Sequence, residues 1–247
     1  MHQISPEQIE HFMSGQVRCW NNHDKAGLLA LYREAAPDLL DIEYVGRTQQ
    51  AEADRHHDRM LRKKAVVDQR IAEATTRKGV LLVNTGIGKG KSSAAFGVVA
   101  RALGSGMNVA VIQFVKNRSD TGEEAFFRRC SDVRWHVMGE GFTWETQDRE
   151  RDAAAAQKAW ELAQTYLGDP AIDLVVLDEM TYAFKYGWLD LDTVIAKLLS
   201  RPLMQHVIIT GRAAPEALRE VADTVSDIGM EKHAFQSGIK AMPGLEF

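Results

Sequence analysis

The stretch VNTGIGKGKSSAAF, Val83–Phe96, decides the fold. The common phosphate-binding loop, G-x-x-x-x-G-K-[ST], places its first glycine five positions before the second. Gly90-Lys91-Ser92 supplies the end of that pattern, but Thr85 stands five positions before Gly90, and Gly86 comes one residue later. Three readings follow: an ordinary ATPase loop, a glycine turn arising by chance, or a loop that holds a nucleotide for some other chemistry.

The context favours a phosphate loop. An apolar strand enters the glycines and an amphipathic helix leaves them near Ser92. Glycines let successive backbone N–H groups point inward at phosphate oxygens. The helix N-terminus adds a partial positive charge. The expected nucleotide contacts are therefore Thr85, Gly86, Ile87, Gly88, Lys89, Gly90, Lys91, Ser92 and Ser93. Lys91 would neutralise phosphate charge, and the Ser92 hydroxyl would help hold Mg²⁺ (or Mn²⁺).

Outward from the loop, strand and helix alternate. The predicted strands are Val80–Asn84, Val109–Phe114, Val133–Met138, Leu174–Leu177 and Val207–Thr210, with a sixth candidate at Thr224–Ile228. They are short, apolar and β-branched on both faces, as strands covered on two sides require. The intervening helices are expected at Ser92–Leu103, Asp148–Leu167, Asp192–Leu199 and Pro215–Ala222. This alternation predicts an α/β fold of the P-loop NTPase type: a doubly wound, mainly parallel sheet with flanking helices, binding its ligand at the carboxyl ends of the strands.

Residues 79–247 are read as that catalytic α/β domain, and 1–50 as a mainly helical appendage of unknown role. Between them, 51–78 is read as linker and basic amphipathic helix, the polar linker covering 47–58. Met60, Val67, Ile71 and Ala74 share one face of that helix, while Arg62, Lys63, Lys64, Asp68 and Glu73 lie opposite. Such a helix is either a solvated surface element or a basic cover over an anionic ligand.

The chain has 247 residues, enough for one sizeable domain and an appendage. Its net charge of −4 offers no basic field for nucleic acid. Two cysteines, Cys19 and Cys130, lack metal or disulfide spacing, and no apolar run is long enough to span a membrane. A cytoplasmic location is expected.

Asp178-Glu179 directly follows the apolar run Leu174–Leu177, the pattern of a strand ending in acids beside a phosphate loop. One carboxylate in such a pair holds Mg²⁺ and the other can position a nucleophile. In an ordinary ATPase, Glu179 would orient water toward the γ-phosphate. Phe142 and Trp144, in GFTWET after the third predicted strand, alternate so that both rings face one way in an extended loop. They either pack the core or cover a large flat ligand.

The ordered series TGIGKGKSSAAFG, GFTWET, VVLDEMTY, VIITGR and KHAFQSGIKAMPGLEF, from about Arg59 to Phe247, resembles the P-loop corrinoid adenosyltransferases. The resemblance implies transfer of the 5′-deoxyadenosyl group of ATP to the Co(I) of a reduced corrinoid, with release of triphosphate. The family's short loop, T-G-N-G-K-G-K-[ST], holds ATP in the reverse sense, leaving the ribose carbon at the reactive position. Its F-x-W pair falls on Phe142 and Trp144, which would crowd the lower corrin face and ease reduction to Co(I). Lys91 and Ser92 match the loop lysine and Mg²⁺-binding hydroxyl, Glu179 the Mg²⁺ carboxylate with Asp178 beside it, and Arg212 an arginine on the triphosphate. Arg101 is a weaker match of the same kind. The basic helix matches the segment that closes over the corrinoid. The likeness further implies a homodimer and a flavodoxin-type reductant. It departs at Ile87, where the family has Asn. The alternatives are a small P-loop ATPase or kinase acting by phosphoryl transfer, or a nucleotide-binding module without turnover.

Overall fold

Apolar, β-branched runs flanked by polar residues become the strands of one sheet. They are Leu81–Thr85 (β1), Val109–Gln113 (β2), Val133–Val137 (β3), Leu174–Asp178 (β4), His206–Thr210 (β5) and Thr224–Asp227 (β6). The computed structural model describes residues 6–35, 49–115, 121–139 and 148–245. The strands lie in the order β3-β2-β4-β5-β1-β6, and every neighbouring pair is parallel. All six fall within a residue or two of the stretches expected from sequence, the scatter usual at element ends. Parallel strands require crossovers, and helices supply them: Lys91–Gly104 (α4), Gly122–Phe127 (α5), Arg149–Leu167 (α6), Thr181–Lys185 (α7), Leu191–Leu199 (α8) and Glu216–Val221 (α9).

Alternate residues of each strand feed two cores. Leu81, Val83, Ala110, Ile112, Val175, Leu177, Val207 and Ile209 face one side, against Trp160, Leu167, Met180, Trp188 and Leu198. Val109, Val111, Leu174, Val176 and Ile208 face the other, against Phe96 and Val99 of α4, Phe127 and Trp135. The Phe127 and Trp135 rings stack at 5.7 Å between centroids, with Phe96 tilted against Trp135 at 5.1 Å. Burial on both faces is why these strands read as continuous apolar runs and not as alternating ones.

The chain divides into two compact units, Met1–Thr75 and Thr76–Phe247. The first contains helices Pro6–Asn21 (α1), Lys25–Ala35 (α2) and Gln49–Glu73 (α3). Leu31 of α2 lies so close to Gly15 of α1 that a Cβ there would stand 2.7 Å from the Leu31 Cδ1. The polar linker expected over 47–58 is corrected: α3 begins at Gln49 and runs without a break to Glu73. Its opening QQAEADR is polar but built of good helix formers with no Gly or Pro, so polarity alone was a poor guide. Every side chain from Arg55 to Glu73 is exposed, including Met60, Val67 and Ile71. No helix among the described residues is long and apolar enough to cross a membrane.

Candidate active site

The carboxyl ends of the strands carry polar residues where the rest of each strand is apolar. Gln113, Asp178, Thr210, Asn84 and Thr85 are all buried there. The sheet register brings them side by side. Gln113 of β2 is opposite Asp178 of β4, Thr210 of β5 is opposite Asn84 of β1, and Thr85 is opposite Asp227 of β6. β5 stands between the strand that enters the phosphate loop and the strand that ends in the acids.

Hydrogen bonds tie this row together. The Thr210 hydroxyl donates to Asp178 Oδ1 at 2.7 Å and accepts the Glu179 N–H at 2.9 Å. Gln113 Nε2 donates to Asp178 Oδ2 at 2.9 Å. Asn84 Nδ2 donates to the Lys91 carbonyl at 3.3 Å, fastening the helix start to its strand. Thr85 Oγ1 accepts the Ala214 N–H at 3.1 Å, and the Thr85 carbonyl accepts the Ile228 N–H at 2.9 Å. The Thr85 side chain is thereby spent on anchoring the loop.

The loop is held tightly against the turn after β6. Gly86 has φ +100°, and a Cβ there would stand 2.5 Å from Asp227 Oδ1 and from the Ile228 carbonyl oxygen. Gly88 donates its N–H to the Ile228 carbonyl at 2.7 Å. Gly90, at φ +113°, is the residue before α4 and gives the helix no side-chain cap. By contrast, Asp148 Oδ1 caps α6 through Arg151 N and Asp190 Oδ1 caps α8 through Thr193 N. The first-turn N–H groups of α4 are left for an anion. Ile87 is 59% exposed, so its hydrocarbon packs against little of the protein.

Charged side chains converge at this loop. Lys91 Nζ donates to the Gly88 carbonyl at 2.6 Å. Partial burial lowers the Lys91 pKa, and the Arg212 charge lowers it further, against the opposing pull of Glu179 and Asp227. Two cations therefore lie near one another at the glycine loop, an arrangement suited to the concentrated negative charge of a polyphosphate. Arg212 arrives on the turn after β5, where Gly211 has φ +140° and Ala213 φ 52°. Thr181 Oγ1 donates to the Arg212 carbonyl at 2.8 Å, and a Cβ on Gly211 would stand 2.0 Å from Thr181 Oγ1. Glu179 has φ 59°, a left-handed conformation that costs a side-chain-bearing residue about 1–2 kcal/mol and that turns it out of the strand line. Tyr182 is raised above its ordinary pKa by burial and then by the Glu179 charge, so its phenol stays protonated beside that carboxylate.

The structure thus gathers Gly86, Gly88, Gly90, Lys91, Ser92, Glu179 and Arg212 at one end of the sheet. Asp178 lies directly behind Glu179 with both oxygens accepting hydrogen bonds. Lys89 and Ser93 are exposed. Arg101 is not brought to the loop: it sits in the last turn of α4, ten residues beyond Lys91 and about 15 Å along the helix axis. Phe142 and Trp144 lie outside the described residues. The sequence reading missed Gln113, Asn84, Thr210 and Asp227. For Gln113, Asn84 and Thr210 the signal was a polar residue at the end of an apolar strand, Asp227 ends a strand whose one apolar residue is Val225, and only the strand order shows which of them meet.

A parallel sheet with a glycine loop, an uncapped helix start and acids two strands away defines a P-loop nucleotide-binding protein. Comparison with known proteins narrows the class. A family model described as ATP:corrinoid adenosyltransferase BtuR/CobO/CobP matches residues 77–247, and one described as Cob(I)alamin adenosyltransferase N terminal matches 46–71. A corrinoid adenosyltransferase of Pseudomonas aeruginosa is 60% identical over 194 residues, 78% of this chain and 96% of that protein. One from Sinorhizobium sp is 47% identical over 85% of this chain and all of its own length. Corrinoid adenosyltransferase CobA of Salmonella typhimurium is 45% identical over 78% of this chain and 98% of its own. The chain belongs to the ATP:corrinoid adenosyltransferase family and is an enzyme of that activity, with ATP and a corrinoid as its substrates. The family likeness begins earlier than the sequence reading placed it, near residue 46.

Proposed function

We propose that the loop from Gly86 to Ser92 holds ATP by its triphosphate with the ribose 5′-carbon turned toward the reduced corrinoid. The Co(I) of the substrate supplies both electrons of the new Co–C bond. The C5′–O bond breaks, and its electron pair leaves with inorganic triphosphate. No phosphorus is attacked, so no residue needs to activate water. What the reaction demands is a leaving group stabilised as charge develops on its bridging oxygen, and attacking and leaving groups held in line.

Lys91 and Arg212 answer the first demand, together with the N–H groups at the start of α4. Magnesium fits the oxygen donors present: the Ser92 hydroxyl and the Glu179 carboxylate are hard ligands on the two sides of the site. No group of three or more His, Cys, Asp or Glu side chains is assembled among the described residues, which suits an ion held mainly by triphosphate oxygens and water. Ser92 and Glu179 would hold that ion (Mg²⁺ or Mn²⁺), with Asp178 behind them, and the ion would neutralise the departing triphosphate. Phe142 and Trp144 crowd the lower corrin face, a role carried from the family motif. A flavodoxin-type electron donor and a homodimer rest on the same likeness.

The observation that carries the proposal is the meeting of Lys91, Arg212 and Glu179 at an uncapped helix start, in a chain of this family. The test is anaerobic incubation of the protein with Mg-ATP and Co(I)alamin, followed by visible spectroscopy and phosphate analysis. A light-sensitive alkylcobalt product with equimolar triphosphate supports it. Orthophosphate release without alkylcobalt would indicate the alternative, phosphoryl transfer.

A further inference from the structure

The two acids that end β4 are adjacent in sequence but differ in surroundings. Asp178 is 0% exposed, and its two carboxylate oxygens point at different strands, Oδ1 at Thr210 of β5 and Oδ2 at Gln113 of β2. A backbone N–H can only donate, and that of Glu179 reaches the Thr210 oxygen at 2.9 Å, so the single Thr210 proton is left for Asp178 Oδ1 at 2.7 Å. The bonds from Gln113 through Asp178 and Thr210 to Glu179 form one continuous chain. It ends on the backbone of the one residue in β4's exit turn that holds a left-handed φ of 59°. Such a conformation persists where its surroundings over-determine it.

We propose that Thr210 is a positioning residue for the metal-binding carboxylate of Glu179, and that Asp178 is its anchor and not a metal ligand. Fixing the Glu179 N–H fixes where the chain leaves the strand, and therefore where the Glu179 side chain is presented. Losing the Thr210 hydroxyl would free the turn to relax to an unstrained backbone and carry the carboxylate away from Ser92. The proposal rests on the reading that Glu179 holds the divalent ion.

The test compares four variants with the parent protein. Binding of Mn²⁺ to the protein–ATP complex is read from loss of the free-ion EPR signal, and hydrogen exchange at the Glu179 amide is read in the ligand-free protein. Thr210→Val keeps the side-chain shape and removes the hydroxyl. It should weaken Mn²⁺ binding by about tenfold, the order produced by one lost buried hydrogen bond, and should speed exchange at Glu179. Thr210→Ser should restore both. Asp178→Asn preserves the bonds if the Gln113 carboxamide turns over: the new amide donates to Gln113 Oε1, which has no other partner among the described residues, and still accepts from Thr210. It should therefore lose far less Mn²⁺ affinity than Glu179→Gln.

Should Asp178→Asn weaken Mn²⁺ as much as Glu179→Gln does, Asp178 is a ligand and the proposal is overturned. Unchanged exchange at Glu179 in Thr210→Val overturns it too, and that readout needs no metal. If Glu179→Gln leaves Mn²⁺ affinity intact, the underlying assignment of the ion fails, and this proposal with it. If Glu179→Gln weakens Mn²⁺ while Thr210→Val does not, only the positioning role fails. A melting curve for each variant separates these outcomes from general unfolding, and Thr210→Ser keeps the comparison available should Thr210→Val not fold.

Discussion

Gly88→Ala tests whether the phosphate cradle is built by close backbone approach. The ideal Cβ at Gly88 would stand 2.1 Å from the Gly229 carbonyl oxygen and 2.7 Å from the Ile228 oxygen. Ordinary contact begins at 3.4 Å, so something must move by 3.4 − 2.1 = 1.3 Å. Both obstacles are backbone, and the Gly88 N–H is itself bonded to the Ile228 carbonyl, so no flexible side chain can give way. Overpacking of this kind costs about 1–3 kcal/mol. If the loop is what yields, ATP affinity falls by about 5- to 150-fold, at 1.4 kcal/mol per tenfold. Titration with a fluorescent ATP analogue reads the affinity, and a circular-dichroism melt reads the stability. Gly97→Ala is the matched control: Gly97 lies mid-helix in α4, and its Cβ would meet nothing within 4 Å. That change should stabilise by about 0.5–1 kcal/mol and leave ATP affinity alone. Retention of parental affinity and melting temperature in Gly88→Ala would refute the close approach on which the cradle depends.

Two other expectations bear on single residues. Ile87→Asn should leave the melting curve nearly unchanged, because exposed substitutions usually stay within about ±0.5 kcal/mol. It should also keep ATP affinity within about threefold if backbone N–H groups do the binding; a larger shift by calorimetry would mean that this side chain meets the nucleotide. At the other end of β1, Asp223 accepts the Leu81 N–H at 2.9 Å and pairs with Lys78. The Leu81 hydrogen bond chiefly, then Lys78, holds the Asp223 carboxyl below the usual aspartate range. A depressed carboxyl pKa adds stability that is fully present above the unfolded value of about 3.9 and is lost as pH falls through the folded value. The melting temperature of Asp223→Asn should therefore fall less steeply below about pH 4 than the parent's, and parallel acid limbs would disprove that contribution.

The sheet was legible in the sequence because parallel strands buried on both faces announce themselves as short apolar runs, and the glycine loop with its following helix set their polarity. β6 was the weakest of the six, since only Val225 of its four residues is apolar and it forms an edge. The helix over Gln49–Asp58 was missed because hydrophobic pattern, not helix propensity, carried the reading, and QQAEAD has no apolar stripe. Within the site, Lys91 and Glu179 were expected from the loop motif and the acids at the strand end, and Arg212 from the family likeness. Thr210 and Gln113 were not, because their meaning depends on β5 and β2 flanking β4, and strand order is not written in local sequence. Nor does local sequence show that Asp178 is sealed between strands while Glu179 beside it takes a left-handed φ of 59°.

In the proposed reaction the loop presents carbon, not phosphorus, to the nucleophile. ATP carrying ¹⁸O at the oxygen bridging C5′ and the α-phosphorus tests it most directly, with Co(I)alamin as acceptor under anaerobic conditions. Cleavage of the C5′–O bond predicts that all of the label appears in inorganic triphosphate, detected by mass spectrometry, alongside adenosylated corrinoid. Label retained on an adenosine-containing product, or phosphate released without adenosylated corrinoid, would contradict the account.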